Sequence, residues 1–258
     1  MNNSKQSDQA EQEKPVWKMI DVLLIIIGTF FFGFLAILLL FGFLVISPAY
    51  SPSIIFSNEQ PTIFLSIGAA FIEALALICS VYLFGIKRKN LAFFDLGLRK
   101  ISNKWLAISI GLGLIAIPIS SLVAYLTQLL LGLPAENPQL PFLAPTDIST
   151  TGMIFMSIFV GIVIPFAEEL FFRGVLFLWL RKRFGLWIGV IFSSLIFGII
   201  HGDIIVGIIA FVLGILLALV FEYSKSLWSS IIVHSINNSI QILMLYILIL
   251  IGQQPLNF

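Results

Sequence analysis

Charge is what this chain of 258 residues has least of: Asp, Glu, Lys and Arg make up 10% of it, against 59% apolar residues. A soluble domain carries about 25% charged residues, so that class is excluded. Cysteine is nearly absent. Cys79 stands alone, which rules out an intrachain disulfide and any metal site made of several thiolates; within an apolar run it reads as a small buried side chain. Histidine occurs only at 201 and 234. The chain lacks a His-Glu-x-x-His segment, a Gly-rich phosphate loop, a heptad array and a repeat of fixed period, which removes the usual zincin, nucleotide-binding, coiled-coil and solenoid readings. A net charge of +1 gives no reason to invoke nucleic acid.

What the chain has is long apolar runs, with a mean hydropathy of +1.08. A hydrocarbon core about 30 Å thick needs roughly 20 apolar residues per crossing, and helices alone satisfy their own backbone there without closing a barrel. Seven runs answer this, over 20–46, 62–86, 104–131, 150–180, 185–201, 204–222 and 227–250, the fifth and sixth being short. The expected fold is all-α: a polytopic bundle of about seven transmembrane helices in a lipid bilayer. The first run is too long for the core of a cleaved leader and is read as an anchor.

Lys and Arg are distributed unevenly. Lys5, Lys14 and Lys18 precede the first run; Lys87, Arg88, Lys89, Arg99, Lys100 and Lys104 follow the second; Arg181, Lys182 and Arg183 follow the fourth; Lys225 follows the sixth. Segments 47–61, 132–149 and 251–258 have none. The positive-inside rule then puts the N-terminus in the cytoplasm and the C-terminus outside, as in an integral protein of a bacterial plasma membrane. Residues 1–19 read as a mobile cytoplasmic tail. The Pro-rich stretch Pro134 to Pro145 reads as an external loop dividing N-terminal helices, 20–131, from a C-terminal core, 148–250. Phe93 to Lys100 reads as an interfacial amphipathic segment.

Arg173 is the one cation inside a run, and it follows Glu168 and Glu169. A charge at the centre of a spanning helix costs on the order of 3 kcal/mol, so such residues pair, face a wet cavity and mark function. Glu169 and Arg173 stand at i and i+4 in the favourable order for a pair. Neighbouring positions diverge by ~100°, which leaves Glu168 unpartnered and suited to general acid or base work. Interhelical glue is the bland alternative for the cluster. The point equidistant from Glu168 and His201, 184.5, falls within the turn Arg183-Phe184-Gly185. An antiparallel hairpin would hold both at roughly 22–25 Å from that turn. Phe197, four residues before His201, can hold its rotamer, and Asp203 either orients the imidazole or ends the helix. His234 and Asn238, again i and i+4, share a face and could form an oxyanion hole. Glu73, alone in the second run, takes no assigned role.

Two mechanisms stay open on these residues. In the metal-free one, Glu168 and His201 activate water and His234 and Asn238 meet the oxyanion. In the other, zinc binds Glu168, His201 and His234; no cofactor is favoured.

Glu168-Glu169-x-x-x-Arg173, Phe197-x-x-x-His201 and His234-x-x-x-Asn238, in that order on the fourth, fifth and seventh runs, resemble the CPBP (CAAX protease and bacteriocin-processing, Abi) family of intramembrane proteases, over about 148–245. Leu96-Gly97-Leu98-Arg99 is also typical. The resemblance implies catalytic Glu168, His201, His234 and Asn238, supporting Glu169, Arg173 and Phe197, and a conical cavity in a C-terminal four-helix core. It implies an endopeptidase acting by activated water on a peptide or lipidated protein, either prenylated of CAAX type or bacteriocin-like. A non-enzymatic immunity or scaffold protein is the alternative from another class, and a proton-relay transporter ranks below both for want of an inverted repeat.

Overall fold

The structure is a computed structural model that describes residues 17–46, 62–133, 139–145 and 149–252. All regular elements among the described residues are helical. We number the seven long ones α1, Met19–Ile46; α2, Ile63–Lys89; α3, Asn103–Leu131; α4, Thr150–Phe184; α5, Leu186–Ile199; α6, Ile204–Ser224; and α7, Leu227–Leu250. The protein is an integral membrane protein with six helices long and apolar enough to cross a bilayer. The fifth run is the exception. Helix α5 has 14 residues, about 21 Å at 1.5 Å per residue, while α6, expected to be short, extends over 21.

Side chains of the linkers set the helix starts. Thr62, Ser102 and Ser149 accept from the backbone N–H groups of Leu65, Trp105 and Gly152 at 3.3, 3.3 and 3.1 Å, and Asp203 accepts from Ile205 and Val206 at 2.9 Å each. Each such cap satisfies donors the helix itself leaves orphaned. Large apolar side chains such as Phe30 and Leu130 are 76% and 79% exposed, as expected of a surface whose solvent is lipid.

Close packing brings the second half of the chain together. A Cβ on Gly198 of α5 would lie 2.5 Å from the Gly207 carbonyl oxygen of α6, and one on Gly214 of α6 would lie 2.9 Å from Ser194 Cβ. Small residues let these two backbones touch, which is how membrane helices gain van der Waals contact. Helix α3 packs on α6 and α7, and α2 on α4, so contacts run across the expected division between 20–131 and 148–250.

The cationic ends meet at one end of the bundle. Asp21 of α1 pairs with Arg88 and with Lys89, the latter at 2.9 Å, while Glu222 of α6 pairs with Arg181 at 2.7 Å and Lys225 at 2.8 Å. Leu96 is fully buried at this end. Gly97, at φ +96°, faces Phe221, and a Cβ there would lie 2.5 Å from that ring; its carbonyl accepts from Leu227 N–H at 2.7 Å, and Ser226 Oγ donates to the Arg99 carbonyl at 2.6 Å. The expected interfacial segment is therefore half surface and half clasp: Phe94 is exposed beneath Arg99, while the Gly97 and Arg99 carbonyls hold the start of α7.

Trp17 corrects one boundary. The expected tail 1–19 does not reach this far, because Trp17 is 2% exposed and its Nε1–H donates to the Gly85 carbonyl at 3.0 Å. A large apolar ring with one donor is well served by a core position beside a free carbonyl. Residues 1–16, the segment 47–61, Pro134 and Pro138, and 253–258 lie outside the described residues.

Candidate active site

Helix α4 carries the paired acids between two irregular stretches. Phe159–Val163 and Phe172–Phe177 are wound as π-helix on either side of Ile164–Phe171, a feature that recurs at functional sites. Pro165 follows the first stretch and has no N–H to donate. Two carbonyls near this break turn to α7: Gly161 accepts from Ser239 Oγ at 3.1 Å and Val160 from Asn238 Nδ2 at 3.4 Å. Backbone irregularity in α4 thus becomes a means of seating α7 and its polar face.

Glu169 is the junction of the site. Its Oε1 accepts from Arg173 Nη1 at 2.8 Å, as the i, i+4 spacing predicts, and also from His234 Nδ1 at 3.0 Å. Both partners are buried with it, at 1% and 2% exposure. Arg173 Nη2 donates to the Gly214 carbonyl of α6 at 3.2 Å, and the guanidinium stands 4.6 Å over the Phe197 ring. One ion pair therefore ties α4 to α5, α6 and α7. A buried charge set free of such partners costs several kcal/mol, which makes the arrangement strongly determined.

Phe197 is the apolar counterpart of that junction. It is 1% exposed and meets His201 edge-on at 5.1 Å, His234 at 5.7 Å and Phe172 at 4.9 Å between ring centroids. Its carbonyl lies 2.7 Å from His201 Nδ1. A carbonyl only accepts, so Nδ1 carries the hydrogen and Nε2 keeps the lone pair a base needs. Asp203 does not orient this imidazole: its carboxylate caps α6.

Glu168 is 5% exposed, with Oε2 3.7 Å from His234 Nε2. It lines a cavity of about 640 Å³ together with Phe197, His201, His234 and Asn238. The structure thus brings all four candidate catalytic residues to one hollow. Glu169 and Arg173 stand behind that wall. No hydrogen bond links Glu168 to His201 among the described residues, so any partnership between them passes through something held in the cavity.

The walls differ from expectation in extent. They are not confined to the four C-terminal helices, because α2 contributes Ser66 and Glu73 and α3 contributes Ser120 and Ser121. Glu73 therefore faces the same space as Glu168. Asn237 escaped the sequence reading. It lines the cavity, is 2% exposed, donates through Nδ2 to Asn238 Oδ1 at 3.1 Å and leaves its own Oδ1 unpartnered. Its adjacency to Asn238 was the available signal, outweighed by the i, i+4 match of His234 with Asn238.

Among the described residues no group of three or more His, Cys, Asp or Glu side chains is gathered to hold an ion. The bond from His234 Nδ1 to Glu169 leaves Nε2 of that imidazole toward the cavity.

Residues 150–240, the span of α4 to α7 up to Ile240, match the family described as type II CAAX prenyl endopeptidase Rce1-like. The resemblance read from the three motifs holds over these helices. No curated protein and no solved structure matches the chain.

Proposed function

We propose, on the premise that residues 150–240 are Rce1-like, that this integral membrane protein is a hydrolase: an endopeptidase that cuts a peptide bond of a membrane-associated substrate. The observation that carries the reading is the convergence of Glu168, His201, His234 and Asn238 on one cavity. Each group has a task its surroundings suit.

Glu168 takes a proton from water while the free Nε2 of His201 accepts that water's other hydrogen bond. The water oxygen forms a bond to the carbonyl carbon, and the carbonyl electrons move onto oxygen. Asn238 Nδ2 and the Nε2–H of a protonated His234 meet that oxyanion, the imidazolium being held by Glu169 through Nδ1. Collapse breaks the C–N bond, and the proton held by Glu168 passes to the leaving nitrogen. This assigns Glu169 and Arg173 a positioning role and Phe197 the task of fixing both imidazoles.

The experiment is a comparison of purified wild type and Glu168→Ala on a library of membrane peptides, read by mass spectrometry. Wild type yields defined cleavage products and Glu168→Ala yields none while inserting normally. Equal cleavage by both removes Glu168 from the mechanism. Partner protection or binding that survives loss of Glu168, His201 and His234 together supports a non-enzymatic immunity or scaffold role instead.

A further inference from the structure

The cavity lies toward one end of the bundle, and the helices agree on which. Lining residues on α2 run from Ser66 to Glu73, next to the start at Ile63 and far from Lys87 and Arg88. On α3 they are Ser120, Ser121 and Ala124, far from Lys104. On α4 they run from Met156 to Glu168, away from Arg181 to Arg183; on α6 from Val206 to Leu213, away from Lys225. Helix α5 contributes only Phe197 near its end and His201 beyond it, and α7 contributes its middle, His234 to Gln241. The lining continues into Gln139, Phe142 and Leu143, from the connection between α3 and α4 that has no Lys or Arg.

The other end is sealed. Trp17, Leu96, Phe177, Phe221 and Leu227 are all 4% exposed or less there, and the cationic helix ends close over them through Asp21 and Glu222. A residue-free path from the catalytic groups to the Lys- and Arg-rich face would have to cross this core. The lining also has Glu73, Glu168 and Asp203 but no Lys or Arg, so the asymmetry of charge follows the asymmetry of access.

Lys and Arg stay on the cytoplasmic side of a bacterial membrane. We infer that the site opens to the non-cytoplasmic face, and that its substrate is a peptide segment exposed in or beyond the outer leaflet, such as an exported or translocated chain, rather than the C-terminal tail of a cytoplasmic protein. The substrate class rests on the endopeptidase reading; the direction of opening does not.

Cysteine accessibility tests the direction without any substrate. Cys79→Ser provides the background, Gln241→Cys marks the cavity and Arg183→Cys marks the opposite end. Intact bacterial cells are treated with a membrane-impermeant maleimide, before and after permeabilisation. Gln241→Cys reacts in intact cells and Arg183→Cys only after permeabilisation. The reverse pattern overturns the inference, as does a Gln241→Cys that stays unreactive in both conditions. Because labelling needs no turnover, loss of the endopeptidase reading through an active Glu168→Ala and loss of the outward opening are separate outcomes.

Discussion

His234 Nδ1 donates to Glu169 Oε1 at 3.0 Å across 65 positions of sequence. The same oxygen receives Arg173 Nη1 at 2.8 Å, so the acid that neutralises a buried cation also fixes the aim of an imidazole at the cavity wall. Glu168, one residue earlier, keeps its carboxyl for the cavity. The two neighbouring acids divide support and chemistry between them, as their divergence around the helix requires.

Removal of Glu169 should show this in stability. Glu169→Ala leaves the Arg173 guanidinium buried without its counter-charge, a loss of about 3–5 kcal/mol, seen as a lowered Tm in detergent. The double change Glu169→Ala with Arg173→Met removes both charges and recovers most of the Tm. Its proteolytic activity stays lost, because His234 no longer has a partner at Nδ1.

Glu168→Gln should separate chemistry from folding. The side chain keeps its volume and makes no ion pair with Arg173, so Tm stays near wild type. General acid–base catalysis of this kind contributes about 10²- to 10⁴-fold, and kcat falls by that factor at similar KM.

Asn238→Ala tests the oxyanion assignment. A lost donor of that type costs about 10²- to 10³-fold in kcat, with KM little changed. The accompanying loss of the long contact to the Val160 carbonyl and of the acceptor for the buried Asn237 Nδ2 removes about 1–3 kcal/mol of stability. A variant that raises KM and leaves kcat intact would move Asn238 from transition-state contact to substrate binding.

How α5 and α6 cross sets where His201 sits. Gly198→Val places a Cβ 2.5 Å from the Gly207 carbonyl oxygen and forces the helices apart. Overpacking of this sort costs about 1–3 kcal/mol, and kcat falls with it although Gly198 touches no substrate. Gly111→Ala, where a Cβ meets nothing within 4 Å, leaves both unchanged.

Much of this was written in local patterns. Apolar run length gave the seven helices, and i, i+4 spacing gave the Glu169–Arg173 pair and the face shared by His234 and Asn238. The equal distances of Glu168 and His201 from the turn at Arg183-Phe184-Gly185 anticipated that they share a cavity. What escaped was long-range. Nothing local to Glu169 announces His234 as a second partner, since the two meet only after α4 and α7 pack. Asp203 could be read as an orienter or a cap, and only the backbone at Ile205 and Val206 decides for the cap. Ser66, Glu73, Ser120 and Ser121 join the cavity wall because α2 and α3 pack against the core helices, which no motif in either helix records.

The central claim is that Glu168 and His201 act on one water, and the most direct test is kcat for Glu168→Gln, His201→Gln and the double variant on one cleaved peptide. Residues acting as a unit lose their effect once, not twice. The double variant should fall no further than the more damaged single. Losses that multiply, or either single variant turning over at the wild-type rate, would contradict the account.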